Sequence, residues 1–75
     1  MADNAEWEAK VKGLLKAELK RRGVTYAGLV DKLAEIGVKE TEPNVRNKLA
    51  RGKFTAVFLV QCFESIGARR IDLGE

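Results

Sequence analysis

The stretch Thr41-Glu42-Pro43-Asn44-Val45-Arg46-Asn47-Lys48-Leu49-Ala50-Arg51-Gly52-Lys53-Phe54-Thr55 carries one short helix together with the signals that start and stop it. Thr41 is placed to cap free N–H groups with its hydroxyl. Pro43 sits in the first turn, where its missing N–H costs nothing. Gly52 follows the last periodic residue, where a left-handed residue ends a helix. Thr55 then opens the next run. Only Val45 and Leu49 are clearly apolar and share a side, with Ala50 flanking. Such a helix, 42–51, is too short and too polar to be stable alone. Its neighbours must hold it by the two aliphatic anchors while the rest of its surface meets solvent.

The same punctuation recurs outward from this stretch. Gly23, Gly37 and Gly67 close apolar-periodic runs and Thr25 opens one, so helices are expected near 5–22, 26–36, 42–51 and 56–66. In the tail, 68–75, Ile71 and Leu73 alternate and read as a short extended segment, a fifth element. In the first helix Trp7, Val11, Leu14 and Leu15 fall on one side, with Leu19 at its edge. Asp3 and Glu6 have the spacing of a capping box. Lys12, Lys16 and Lys20 form a row on the opposite side, and Arg21 and Arg22 close the helix, where cations favour the dipole. The second helix gathers Tyr26, Leu29, Val30, Leu33 and Ile36 on one face. The fourth gathers Phe58, Leu59, Cys62, Phe63 and Ile66. Trp7, Tyr26, Phe54, Phe58 and Phe63 read as core or core-edge residues. Together these runs make an all-α chain, one compact four-helix domain over 1–75.

Composition removes many functions. A chain of 75 residues allows one domain and no large cleft. No apolar run is long enough to span a membrane, and no signal peptide is visible. The single Cys62 cannot form an internal disulfide, which fits the cytoplasm. Histidine is absent, which removes histidine-based triads and most zinc sites. The glycine spacing matches no phosphate loop. Cys62 has no histidine to activate it, and the carboxylates are scattered among basic partners. The expectation is a non-enzymatic domain with no metal and no cofactor. The net charge of +3 permits a polyanionic partner without demanding one.

The segment from about Leu15 to Ile66 resembles the helix-turn-helix domains of the lambda-repressor-like class. The likeness is carried by Arg21-Arg22-Gly23-Val24-Thr25, by Leu29 and Leu33, by the polar helix ending Ala50-Arg51-Gly52-Lys53, and by the apolar helix closing at Ile66-Gly67. More closely, the chain is similar to a small bacterial family of uncharacterised helix-turn-helix-like domains. The resemblance implies that the third helix reads the major groove of double-stranded DNA, as in a small transcriptional regulator. Two features depart from the class. Tyr26 stands where helix 2 usually carries a phosphate-contacting Gln. The link Gly37-Val38-Lys39-Glu40-Thr41 exceeds the usual 3–4-residue turn and brings Glu40 and Glu42 near the end that would approach DNA.

The candidate nucleic-acid site is the third helix and its exit. With Val45 and Leu49 turned inward, Asn44, Asn47, Lys48 and Arg51 share the outward stripe. Asn can pair bidentately with adenine, and Arg or Lys with guanine. Arg46, Arg51 and Lys53 are candidate phosphate holders. Residues 10–22 hold six cations and one acid, so the end of the first helix would clamp phosphates on the other flank if it lay on the same side. Val57 and Val60, outside the inner face of the fourth helix, are the candidate dimer interface; burial under helix 1 or the tail is the intramolecular alternative. A protein-interaction module that keeps the fold without reading DNA is the competing function, favoured by Tyr26 and by Glu40 and Glu42.

Overall fold

The computed structural model describes residues 4–74, all of whose regular structure is helical. α1 runs over Ala5–Arg22, α2 over Tyr26–Glu35, α3 over Glu42–Arg51 and α4 over Ala56–Ser65. Each boundary lies within one residue of the punctuation that predicts it.

The starts of the three short helices share one device. Thr25, Thr41 and Thr55 are extended, and each hydroxyl accepts the N–H three residues on: Gly28 at 3.0 Å, Asn44 at 3.3 Å and Phe58 at 3.0 Å. The ends of α1, α2 and α4 share another. Val24 N–H bonds the Leu19 carbonyl, Val38 the Leu33 carbonyl and Ala68 the Phe63 carbonyl, each at 2.9 Å. This is the Schellman closure, with a glycine in the left-handed region at the turn. Since the closure consumes the residue after the last helical turn, α2 stops at Glu35 and α4 at Ser65. Ile36, expected on the inner face of α2, therefore lies in the cap and is exposed. The capping-box residue Asp3 lies outside the described residues. Asn4 occupies the cap position of α1 without a side-chain hydrogen bond.

α1 and α2 each pack against both α3 and α4. The core comprises Leu15 and Leu19 of α1, Leu29 and Leu33 of α2, Val45 and Leu49 of α3, and Phe58, Cys62 and Phe63 of α4, closed by Ile66 and Ala68. Val45 and Leu49 are fully buried, so the two expected anchors do fasten α3. Phe54 packs edge-on against Phe58 with ring centroids 5.4 Å apart, joining the α3–α4 connection to the core.

Trp7 departs from the core role expected of it and is 63% exposed. α1 spans about 27 Å at 1.5 Å per residue, nearly twice each of its neighbours, and in its first turn Glu8 abuts Gly52 whereas Trp7 stays exposed. The tail also differs from expectation. Residues 69–74 form no strand, and Ile71 and Leu73 are exposed.

Candidate nucleic-acid interface on the third helix

α3 is held at both ends by groups from elsewhere in the chain. At its C-terminal end Gly52 takes φ +70°, and its N–H bonds the Lys48 carbonyl at 2.9 Å. Gly52 is buried against α1: a Cβ there would fall 2.5 Å from the Glu8 carbonyl oxygen. The Lys12 Nζ of α1 donates to the Ala50 carbonyl at 3.1 Å, filling an acceptor that the helix end leaves open. At its N-terminal end Thr41 supplies the cap and Glu42 sits in the first turn, where an anion suits the dipole.

Four of the candidate residues stand clear of the core. Asn44, Asn47, Arg51 and Lys53 are exposed. Asn44, Asn47 and Arg51 follow one another at helical spacing along a single edge, and no acid lies among them. Arg46 is also exposed but lies round the helix, where its guanidinium bonds Glu42 at 2.6 Å.

Lys48 is the exception. Its ammonium bonds Glu40 at 2.7 Å and lies 4.3 Å from the centroid of the Phe58 ring. The Glu40 side chain is only 12% exposed. Lys48 therefore leaves the outward stripe and ties three elements together: the link before α3, α3 itself and α4. This pairing also explains how the long link stays ordered. Val38 packs on the core, and Glu40 is drawn inward by Lys48, so the segment is anchored twice. Of the two acids that the sequence places near the reading edge, Glu40 is drawn inward by Lys48, while Glu42 stays in the first turn of α3 and pairs with Arg46.

The flank expected from the end of α1 is occupied differently. Arg21 and Arg22 both bind Glu18, which is buried, and Arg22 also donates to the Ile66 carbonyl at 3.1 Å. Glu18 was invisible as a core residue because it sits among lysines. Its signal is the pair of arginines three and four residues on, which give a carboxylate local partners. Arg22 lies 14 residues from Glu8, about 21 Å along the helix. It is therefore far along α1 from the residue that abuts Gly52, and its guanidinium is engaged by Glu18 and Ile66.

Val57 and Val60 are 65% and 56% exposed. Ile71 of the tail borders the same surface pocket as Val60, but among the described residues neither α1 nor the tail buries the two valines as the intramolecular explanation requires. Cys62 is fully buried in the core, and its thiol is pushed up to about 12, first by burial and then by the nearby charge of Glu40. It stays protonated at neutral pH and serves as a small packing residue. Among the described residues no three histidine, cysteine, aspartate or glutamate side chains are grouped to hold a metal ion. No described helix is long and apolar enough to cross a membrane.

No curated protein and no solved structure matches the chain. Residues 7–71 match the model of a family described as a domain of unknown function, DUF6471; that span takes in all of α2, α3 and α4 and most of α1, and the chain belongs to that family.

Proposed function

We propose that the chain is a DNA-binding module of helix-turn-helix type, with α3 entering the major groove. The observation that carries this is the edge formed by Asn44, Asn47 and Arg51: exposed, free of acids, and held outward by the burial of Val45 and Leu49. Amides and a guanidinium at that spacing suit adenine and guanine edges. Lys53, just past the helix, and Arg46 contact phosphates and set the register. Lys48 holds the link and the helix in place rather than reading bases. Lys48 pairs with Glu40 and Arg46 pairs with Glu42, which lessens the repulsion between these two acids and a phosphate backbone approaching α3. The lambda-repressor-like arrangement and a role as a small transcriptional regulator belong to the same proposal. Pairing of two copies through Val57 and Val60 would bring two reading helices to successive grooves.

Anisotropy titration against a pool of random-sequence duplexes tests this. Binding in roughly the micromolar range at low salt, weakening steeply as salt rises, is the expected result. Arg51→Ala should weaken it and lower the slope of log affinity against log salt by about 1. No binding at roughly 100 µM protein and low salt overturns the proposal.

A second function is favoured by a separate observation. The exposed Val57 and Val60 make α4 apolar on a face its own chain leaves open. A protein-interaction or dimerisation module without DNA reading would use that face. Self-association that depends on Val60, in a chain that never binds a duplex, selects it.

A further inference from the structure

The end of α1 and the segment after α4 converge on a cleft of about 340 Å³, walled by Arg21, Arg22, Arg69 and Arg70 with Gly67 at its edge. Glu18 is the one acid lining it, so four arginines and a single carboxylate border the cleft. Glu18 accepts from Arg21 with one oxygen and from Arg22 with the other, and Arg22 continues to the Ile66 carbonyl. These bonds fix two guanidinium groups while leaving most of their N–H donors uncommitted, since each carries five. Arg69 and Arg70 are exposed, and among the described residues no bond within the chain engages them. Glu64 borders the outer side of Arg69, and Asp72 that of Arg21, without forming an ion pair.

Gathering four cations around one anion is unfavourable by itself, because like charges repel and focus a positive field into the concavity. A bound anion reverses the sign of that contribution. We propose that this cleft binds the phosphate group of a small phosphorylated molecule. Arg21 and Arg22 form the preset wall and Arg69 and Arg70 complete the cage. The planar guanidinium fork matches phosphate oxygens two at a time, which a lysine does not. The volume sits at the lower end of small-molecule sites, near 300 Å³, which suits one small ligand better than a polymer. The cleft lies away from the exit of α3, since Arg22 is about 21 Å along α1 from the residue that abuts Gly52, and none of the α3 edge residues lines it.

Amide chemical shifts of the full chain, followed through separate titrations with inorganic phosphate, a nucleoside 5′-monophosphate and a short DNA duplex at about 0.1 M salt, test this. Saturating shifts at residues 21–22 and 67–70 with either phosphate are expected. Saturation by the monophosphate alone identifies an organic phosphate; equal saturation by both identifies the bare anion, and each supports the site. The paired change Arg69→Glu and Arg70→Glu should weaken binding at least about tenfold, with the melting temperature unchanged because both side chains are exposed and form no bond among the described residues. Shifts that never saturate, or that are the same in the double variant, overturn the proposal. Saturation by the duplex alone overturns it too, in favour of a nucleic-acid backbone. Duplex binding that is lost with Arg51→Ala and retained in the double variant reports on α3 and leaves the cleft to be judged by the phosphate titrations.

Discussion

Gly52 lies so close to Glu8 that any side chain at 52 would drive its Cβ to 2.5 Å from the Glu8 carbonyl oxygen. The position is constrained twice, by this approach and by a φ of +70° that β-carbon-bearing residues rarely adopt. Gly52→Ala should therefore cost about 2–4 kcal/mol, from left-handed strain plus overpacking. In a domain of this size that lowers the melting temperature by roughly 10 °C or more. Calorimetry checks it; a melting temperature within about two degrees of the parent would contradict the packing of α3 against α1.

Lys48 and Arg51 lie three residues apart on α3 and should behave oppositely. Lys48→Ala leaves the largely enclosed Glu40 without its partner and should destabilise by about 1–2 kcal/mol in urea unfolding. Arg51→Ala removes an exposed side chain with no bond among the described residues and should change stability by less than about 0.5 kcal/mol, while weakening duplex binding. Equal stability losses in both variants would show that Lys48 does not hold the link.

Cys62 makes stability depend on pH in the alkaline range. Its folded pKa is about 12, above the ordinary thiol value of 9.0. The folded state thus keeps a proton that the unfolded chain releases. That contribution is fully present below about pH 9 and declines as pH rises from 9 toward 12, by at most about 1.4 kcal/mol per unit. Cys62→Val should flatten this part of the stability–pH curve. Rapid modification of the thiol by a disulfide reagent in the native protein at pH 8 would contradict its burial.

Val60→Glu tests the open face of α4. If copies pair there, the parent sediments as a dimer at tens of micromolar and the variant as a monomer. Val60 is more than half exposed, so the variant should keep its melting temperature measured at low concentration. Identical sedimentation of the two proteins removes α4 as an interface.

Glu18→Ala should cost about 1–3 kcal/mol, because two arginines lose a shared acceptor within a partly enclosed site. Urea unfolding measures it. A change below about 0.5 kcal/mol would place the three side chains among ordinary solvated surface charges.

Helix number, limits and most of the core were legible because each signal is local. Thr25, Thr41 and Thr55 act on N–H groups three residues away, and Gly23, Gly37, Gly52 and Gly67 act within their own turns. Val45 and Leu49 announced themselves by being nearly the only apolar residues in their helix. What was not legible depends on contacts far along the chain. Periodicity places Trp7 on the inner stripe, yet the contact made by this turn is that of Glu8 with Gly52, and Trp7 stays exposed. Lys48 fits the outward stripe by angle, yet Phe58 and Glu40 draw it aside, and one of these is ten residues away on another helix. Arg22 reads as a dipole partner or a phosphate clamp until its bond to Ile66, 44 residues on, is seen. The candidate edge was readable at Asn44, Asn47 and Arg51, where nothing from elsewhere intervenes.

The length of α1 has a consequence for motion. Through Glu8 and Lys12 its leading half braces the exit of α3, whereas Glu18 and Arg22 in its trailing half grip the close of α4. The helix works as a splint fastened at two stations, by a close backbone approach and a lysine–carbonyl bond at one and by an arginine–carbonyl bond at the other. Fraying of the leading turns would release the exit of α3 while the arginine station stays shut, so hydrogen exchange in residues 49–53 should track that of residues 8–12 rather than global unfolding.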